Sequence, residues 1–290
     1  MSTLSKNRLK VIIARTIIWL SVIIVYLPLL VILVFSFTTS NTMTWSGFST
    51  QLFSNVFAHP EISKAVTNTL IIALASAVVA TLVGTFAAVG IFYLKRPYKQ
   101  IVNAGSQITV LNADIVTAIA FMLLFISISN IGIPLPDGFA TLIIAHSVFT
   151  IPFVILAVNP RLRMLNPNLY EAGLDLGASN MRTMWTVIFP QLITGMVTGF
   201  AIAFTLSLED FIISQYNKGS IETISTLIFS SISRGLDPTF RALSSIVFVT
   251  VLVAMLLFNL VSSARARIAT SARRALHAVG WGGSDEKKSV

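Results

Sequence analysis

Residues 16–60 contain no Asp, Glu, Lys or Arg, and residues 65–94 contain none either. A soluble domain of ordinary composition is about one quarter charged, whereas this chain is 11% charged. A helix crosses the hydrocarbon of a bilayer with about 20 apolar residues, so each uncharged stretch is long enough to span. Extending the same reading along the chain gives six expected spans, at residues 17–37, 69–93, 108–127, 140–158, 192–213 and 242–261. The expected fold class is an all-α membrane protein, a single transmembrane domain over residues 1–290 with the lipid bilayer as its solvent.

The net charge of +9 would suit nucleic acid, but its distribution points to topology instead. With the N-terminus inside, sixteen of the twenty basic residues fall on one side, among them Lys6, Arg15, Lys95, Arg161 and Arg274. The other side holds Lys64, Lys218, Arg234 and Arg241. That asymmetry obeys the positive-inside rule and puts both termini in the cytoplasm. The basic tail 265–274 then lies against anionic head groups, and no nucleic-acid partner is expected. The chain has no cysteine, which removes disulfide and thiol chemistry. Its first apolar run follows a basic segment, as in a signal peptide. That run is too long, however, and lacks a small-residue cleavage pattern, so it reads as a retained helix.

The one long inner connection, residues 159–190, carries its own helix signals. Asn166 suits an N-cap and Pro167 the first helical position. Leu169, Ala172, Gly173 and Leu176 recur at helical spacing and give one small, apolar face. Glu171 lies near the positive end of that helix, where an anion is favoured. Gly177 can end it in a left-handed conformation, Ser179 can cap a second helix through Val187, and Pro190 marks the return to the membrane. An apolar helical face turned to the cytosol asks for a partner that covers it.

The same loop reads Glu171-Ala172-Gly173, then Gly177, then Phe189-Pro190. It resembles the EAA motif of ABC importer permeases, in which Glu-Ala-Ala is followed by a Gly four residues on and by a closing Leu-Pro. Gly173 replaces the second Ala of that pattern, and Val187 and Phe189 replace its Ile and Leu. The resemblance implies a type I ABC importer permease with six transmembrane helices and a cytoplasmic coupling helix seated in a groove of an ATPase. Glu171, Ala172, Gly173, Gly177 and Pro190 are its implied coupling residues. Three further stretches, Asp114 to Val116, Leu206 to Phe211 and Arg234 to Pro238, are similar to the second permease of spermidine/putrescine importers. Asn217 to Ser220 departs from the Thr-Gly-Pro turn of that group.

Three acids fall in or beside the spans: Asp114, Glu209 and Asp210. An ionisable side chain at membrane depth is costly and faces a cavity or a partner. Glu209 lies about 25 Å along its span, near the outer leaflet, at about 1.5 Å per residue. Adjacent helical residues point about 100° apart, so at most one of Glu209 and Asp210 faces a pore squarely. The pair is either a solvated helix end or an anionic site for the ammonium groups of a polyamine, with Phe204 and Tyr216 close enough in sequence to add cation–π contacts. Asp114 either lies inside the third span or caps a helix if residues 101–113 are interfacial. Gly195 and Gly199 have the spacing that lets helices approach closely, within the subunit or at a dimer seam.

No catalytic apparatus is legible. The phosphate-cradling Gly-x-x-x-x-Gly-Lys-Ser/Thr pattern is absent, and Lys218-Gly219-Ser220 has its Gly and Lys in the wrong order. His59, His146 and His277 have no ligand spacing, and His146 reads as a hydrogen-bonded packing residue rather than a metal ligand. No metal or cofactor is expected. By resemblance, the chain is a transport subunit of the bacterial cytoplasmic membrane and not an enzyme. Its implied partners are two copies of a cytoplasmic ABC ATPase, a second homologous permease and an extracytoplasmic binding protein. The implied cargo is spermidine or putrescine. The alternatives are another small solute (iron, sulfate or thiamine), or a secondary transporter working alone, which would need a coupling-ion site and usually inverted repeats.

Overall fold

The computed structural model describes residues 3–40, 44–132, 138–166, 168–234 and 237–253. Pro134, Pro136, Pro167, Gly235, Leu236, the end of the sixth expected span and the basic tail lie outside the described residues. Among the described residues all regular structure is helical. Four helices are long and apolar enough to cross a membrane: Val11–Phe35, Pro60–Tyr93, Phe139–Met164 and Asn180–Glu209. They coincide with the first, second, fourth and fifth expected spans. Asp114–Asn130 and Thr239–Val253 are shorter apolar helices.

The described chain falls into two compact units, Met1–Ala58 with Leu236–Val290, and His59–Gly235. In the first, α1 (Thr3–Phe35) is followed by the short amphipathic α2 (Gln51–Ala58), which buries Leu52 and Val56. Phe37 stacks on Phe48 at 5.4 Å and tilts against Phe53 at 5.0 Å. Ser49 N–H donates to the Phe37 carbonyl at 2.7 Å, so the aromatics after α1 fold back on its end. Trp45, Phe48 and Phe57 stay exposed.

The second unit begins with α3 (Pro60–Tyr93), α4 (Arg96–Leu111) and α5 (Asp114–Asn130). It continues through α6 (Phe139–Met164) and α7 (Asn168–Asp175). Next come α8 (Asn180–Thr183), a π-helical turn (Met184–Ile188) and α9 (Phe189–Glu209). The short α10 (Ile212–Asn217) and α11 (Ile224–Arg234) complete it. Its core is the contact of α3, α6 and α9, built from Ala77, Ala80, Val154, Val158, Leu192 and Ala203 among others. Small residues let the backbones close. A β-carbon on Gly84 of α3 would meet Val154 of α6 at 2.8 Å, and one on Gly199 of α9 would meet the same valine at 3.0 Å. Gly195 lies against Arg161 and the backbone of Val158. The Gly195–Gly199 pair therefore packs within the subunit, which decides between the two possibilities left open by its spacing.

Three expectations need correction. Residues 51–58 and 60–68 are helical rather than loop, because the segment alternates a buried and an exposed face. Residues 108–127 are not one span. The helix stops at Leu111 and restarts at Asp114, with Asn112 and Ala113 extended and the Asn112 amide turned to the Thr117 hydroxyl at 3.0 Å. The fifth span ends at Glu209 instead of 213, because Asp210 leaves the helical conformation and its carboxylate takes the first free N–H groups of α10.

Candidate functional site

Two places carry the residues singled out in the sequence. The first is the hairpin of α7 and α8. Asn166 Oδ1 accepts from the Asn168 N–H at 3.0 Å and Ser179 Oγ from the Arg182 N–H at 3.4 Å, so both helix starts use the expected residues. Gly177 has φ +80°, a conformation that glycine adopts without steric cost. Its N–H donates to Leu174 and that of Ala178 to Gly173, which closes the end of α7. Glu171, Ala172 and Leu176 are exposed. Gly173 is buried against its own chain, where an added β-carbon would lie 2.5 Å from the Thr183 methyl. Tyr170 packs on Tyr93 at 5.6 Å, and Trp185 stacks on Phe189 at 4.6 Å beside Phe86. Pro190 occupies the first turn of α9, where its missing N–H costs nothing. The hairpin is thus fixed to α3 and α9 while one side of α7 stays bare.

The second place is the break between α9 and α10. Asp210 is buried, with 7% of its side chain exposed. Its two oxygens accept from the backbone N–H of Ile213 at 3.3 Å and of Ser214 at 2.8 Å. Breaking a helix inside a membrane leaves such groups unpaired unless a side chain meets them, and the carboxylate does so here. His146 of α6, 1% exposed, lies beside it with Nε2 3.5 Å from Oδ2. The same ring contacts Ser207 through Nδ1 at 2.7 Å and Ser214 through Nε2 at 3.1 Å. Ser207 continues to the Ser76 hydroxyl of α3 at 3.0 Å, and Ser76 donates to the Ile72 carbonyl. Each ring nitrogen thus has a serine hydroxyl within hydrogen-bond distance, and the 3.5 Å to Oδ2 is the longest of the three separations.

Asp114, first residue of α5, is exposed and close enough to Asp210 to interact with it electrostatically. The two restarted helices lie together, with the Asn217 amide donating to the Ala118 carbonyl at 3.2 Å. Glu209 is exposed and separated in direction from its neighbour. Phe204 stacks on Phe200 at 6.1 Å against the core. Tyr216 lines a cavity of about 330 Å³ with Asn217, Phe125 and Thr141. Of the five candidate path residues, Asp114 and Asp210 come together. Among the described residues no lysine or arginine lies within ion-pair distance of Asp210. Sequence reasoning missed Ser76, Ser207 and Ser214, whose partners lie far along the chain, and Thr183, which meets Gly173 across the hairpin.

Residues 80–274 match the family model for the binding-protein-dependent transport system inner membrane component. The chain is 31% identical over 239 residues to the spermidine/putrescine transport system permease protein PotC of Escherichia coli K12, covering 82% of this chain and 89% of the relative. It is also 31% identical over 227 residues to the putrescine transport system permease protein PotI of the same strain, covering 77% and 80%. Among solved structures it is similar to a bacterial ABC transporter involved in import of the acidic polysaccharide alginate. There the TM-score is 0.67 with 17% identity over 91% of this chain and 99% of the other. The alginate transporter in complex with its pentasaccharide-bound periplasmic protein matches with a TM-score of 0.63, 17% identity and coverage of 88% and 93%.

Proposed function

The chain belongs to the family of binding-protein-dependent transport system inner membrane components and is a permease subunit of an ABC importer, and from that premise we propose that its cargo is a polyamine, spermidine or putrescine. The observation that carries the cargo assignment is Asp210, a buried carboxylate beside Asp114 with no lysine or arginine paired to it among the described residues. Such a site attracts cations and repels sulfate. Its position at two helix breaks suits a cargo path, since irregular backbone at membrane depth is tolerated where it lines a cavity. The two relatives named for polyamine transport support the same choice.

On this reading the subunit has six transmembrane helices in one domain of residues 1–290, with both termini in the cytoplasm. It pairs with a second homologous permease, rests on two ATPase copies and takes cargo from an extracytoplasmic binding protein. The exposed Glu171, Ala172 and Leu176 form the face that α7 offers to the ATPase. Gly173, Gly177 and Pro190 shape the hairpin that presents this face. Closure of the ATPase dimer on ATP moves the α7 helices and turns the cavity outward.

The test is ATP-driven uptake by the full complex in proteoliposomes with loaded binding protein. Labelled spermidine and putrescine are compared with iron, sulfate and thiamine. Uptake of a polyamine alone is expected; uptake of one of the other solutes in its place overturns the cargo assignment.

A further inference from the structure

We propose that His146 is a positioning residue, which holds the Asp210 carboxylate ready for an ammonium group by bridging the break between α9 and α10. The inference rests on the polyamine reading and assigns a part of the same site that the sequence had marked as packing.

The ring contacts both sides of the break, Ser207 in the last turn of α9 and Ser214 in α10, with Asp210 between them in the chain. Each ring nitrogen has a partner, so neither is left to bind a metal. The bridge continues through Ser207 and Ser76 into α3, and Thr150 donates to the His146 carbonyl at 2.7 Å. The ring is therefore held from the three-helix core, and the carboxylate is held from the ring. Charge decides why a histidine suits this place. A lysine or arginine would fix Asp210 equally well but would act as a permanent counterion, cancelling the attraction for a cationic cargo. An imidazole ties Ser207 to Ser214, whose N–H holds the carboxylate, without a permanent charge. With Ile213 and Ser214 donating, the carboxylate keeps its direction.

The experiment compares His146→Leu and His146→Gln in the full complex, reading spermidine imported per ATP hydrolysed and the yield of assembled complex. A residue that only packs helices lowers active protein, and so lowers uptake and hydrolysis together, leaving the ratio unchanged. The expected result is a fall of about tenfold in the ratio for His146→Leu, the scale of the two hydrogen bonds lost to Ser207 and Ser214. The Gln variant, which keeps a donor and an acceptor for Ser207 and Ser214, should recover most of the loss. Should His146→Leu not reach the membrane, Ser207→Ala, which removes the Nδ1 partner, takes its place with a fall of about threefold expected. A parental ratio in the Leu or Ser207→Ala variant, or equal loss in Gln and Leu, overturns the inference. An unmutated complex that imports no polyamine overturns the cargo assignment and this inference with it; a polyamine-importing parent with an indifferent Leu variant overturns the inference alone.

Discussion

Gly173 and Thr183 face each other across the α7–α8 hairpin so closely that a β-carbon on the glycine would lie 2.5 Å from the threonine methyl. The Thr183 hydroxyl is buried without a hydrogen-bond partner among the described residues, so Thr183→Ala removes an unsatisfied polar group and should cost little. Gly173→Ala overpacks the hairpin, at about 1–3 kcal/mol. Pairing it with Thr183→Ala relieves the closest contacts and should restore most of that loss. Co-purification of the ATPase with each single variant and with the double variant checks this. If the two substitutions simply add, the contact does not govern how the hairpin is presented.

Glu209 and Asp210 are expected to separate sharply. Asn caps helices about as well as Asp, so Asp210→Asn keeps one oxygen for the start of α10 while removing the charge and the second acceptor. Polyamine uptake should fall about tenfold, the worth of one charge-assisted contact. Glu209→Gln alters an exposed side chain and should leave uptake within about twofold. Initial rates at matched protein levels decide the matter, and equal losses would remove the distinction.

How much of this was legible beforehand divides along a physical line. The spans followed from hydropathy, and the hairpin from Asn166, Gly177 and Ser179, all signals carried within a few residues. The polar residues Asn112, Asp114, Glu209 and Asp210 marked both breaks in the sequence. A polar residue breaks a helix only where a side chain holds the interrupted ends, as Asn112 does through Thr117 and Asp210 through the N–H groups of Ile213 and Ser214. Span length alone does not show that. Spacing revealed that Gly173, Gly195 and Gly199 were small without revealing what each one faces. His146 meets Ser207 and Ser214, 61 and 68 residues away in the chain, and no local pattern points to either.

Gly84→Ala should be among the most damaging small substitutions in the second unit. Its β-carbon would meet Val154 at 2.8 Å, and this valine is fully buried with Gly199 on its other side. Overpacking of this kind costs about 1–3 kcal/mol. Val154→Ala in the same chain removes the Cγ1 contact at 2.9 Å and keeps the Cβ contact at 2.8 Å, so it should return only a small part of the loss. Thermal unfolding in detergent of both singles and the double variant gives the coupling; simple additivity would contradict the geometry.

Gly177→Ala should cost about 1 kcal/mol, because φ is +80° while no atom lies within 4 Å of the added carbon. Gly177→Asn should cost less, since Asn tolerates this conformation. Hydrogen exchange at the amides of Gly177 and Ala178 reads the effect locally. Protection in the Ala variant equal to the parent would show that the turn carries no strain.

The seating of Val154 between two glycines has a mechanical meaning. Three helices that touch at backbone distance leave no slack for bending where they meet. The ladder of helical hydrogen bonds is interrupted instead at Asn112–Ala113 and Asp210–Phe211, where side chains hold the chain in its place. Two interrupted helices joined by the bond from Asn217 to Ala118 make that contact a tie between the segments that carry Asp114 and Asp210.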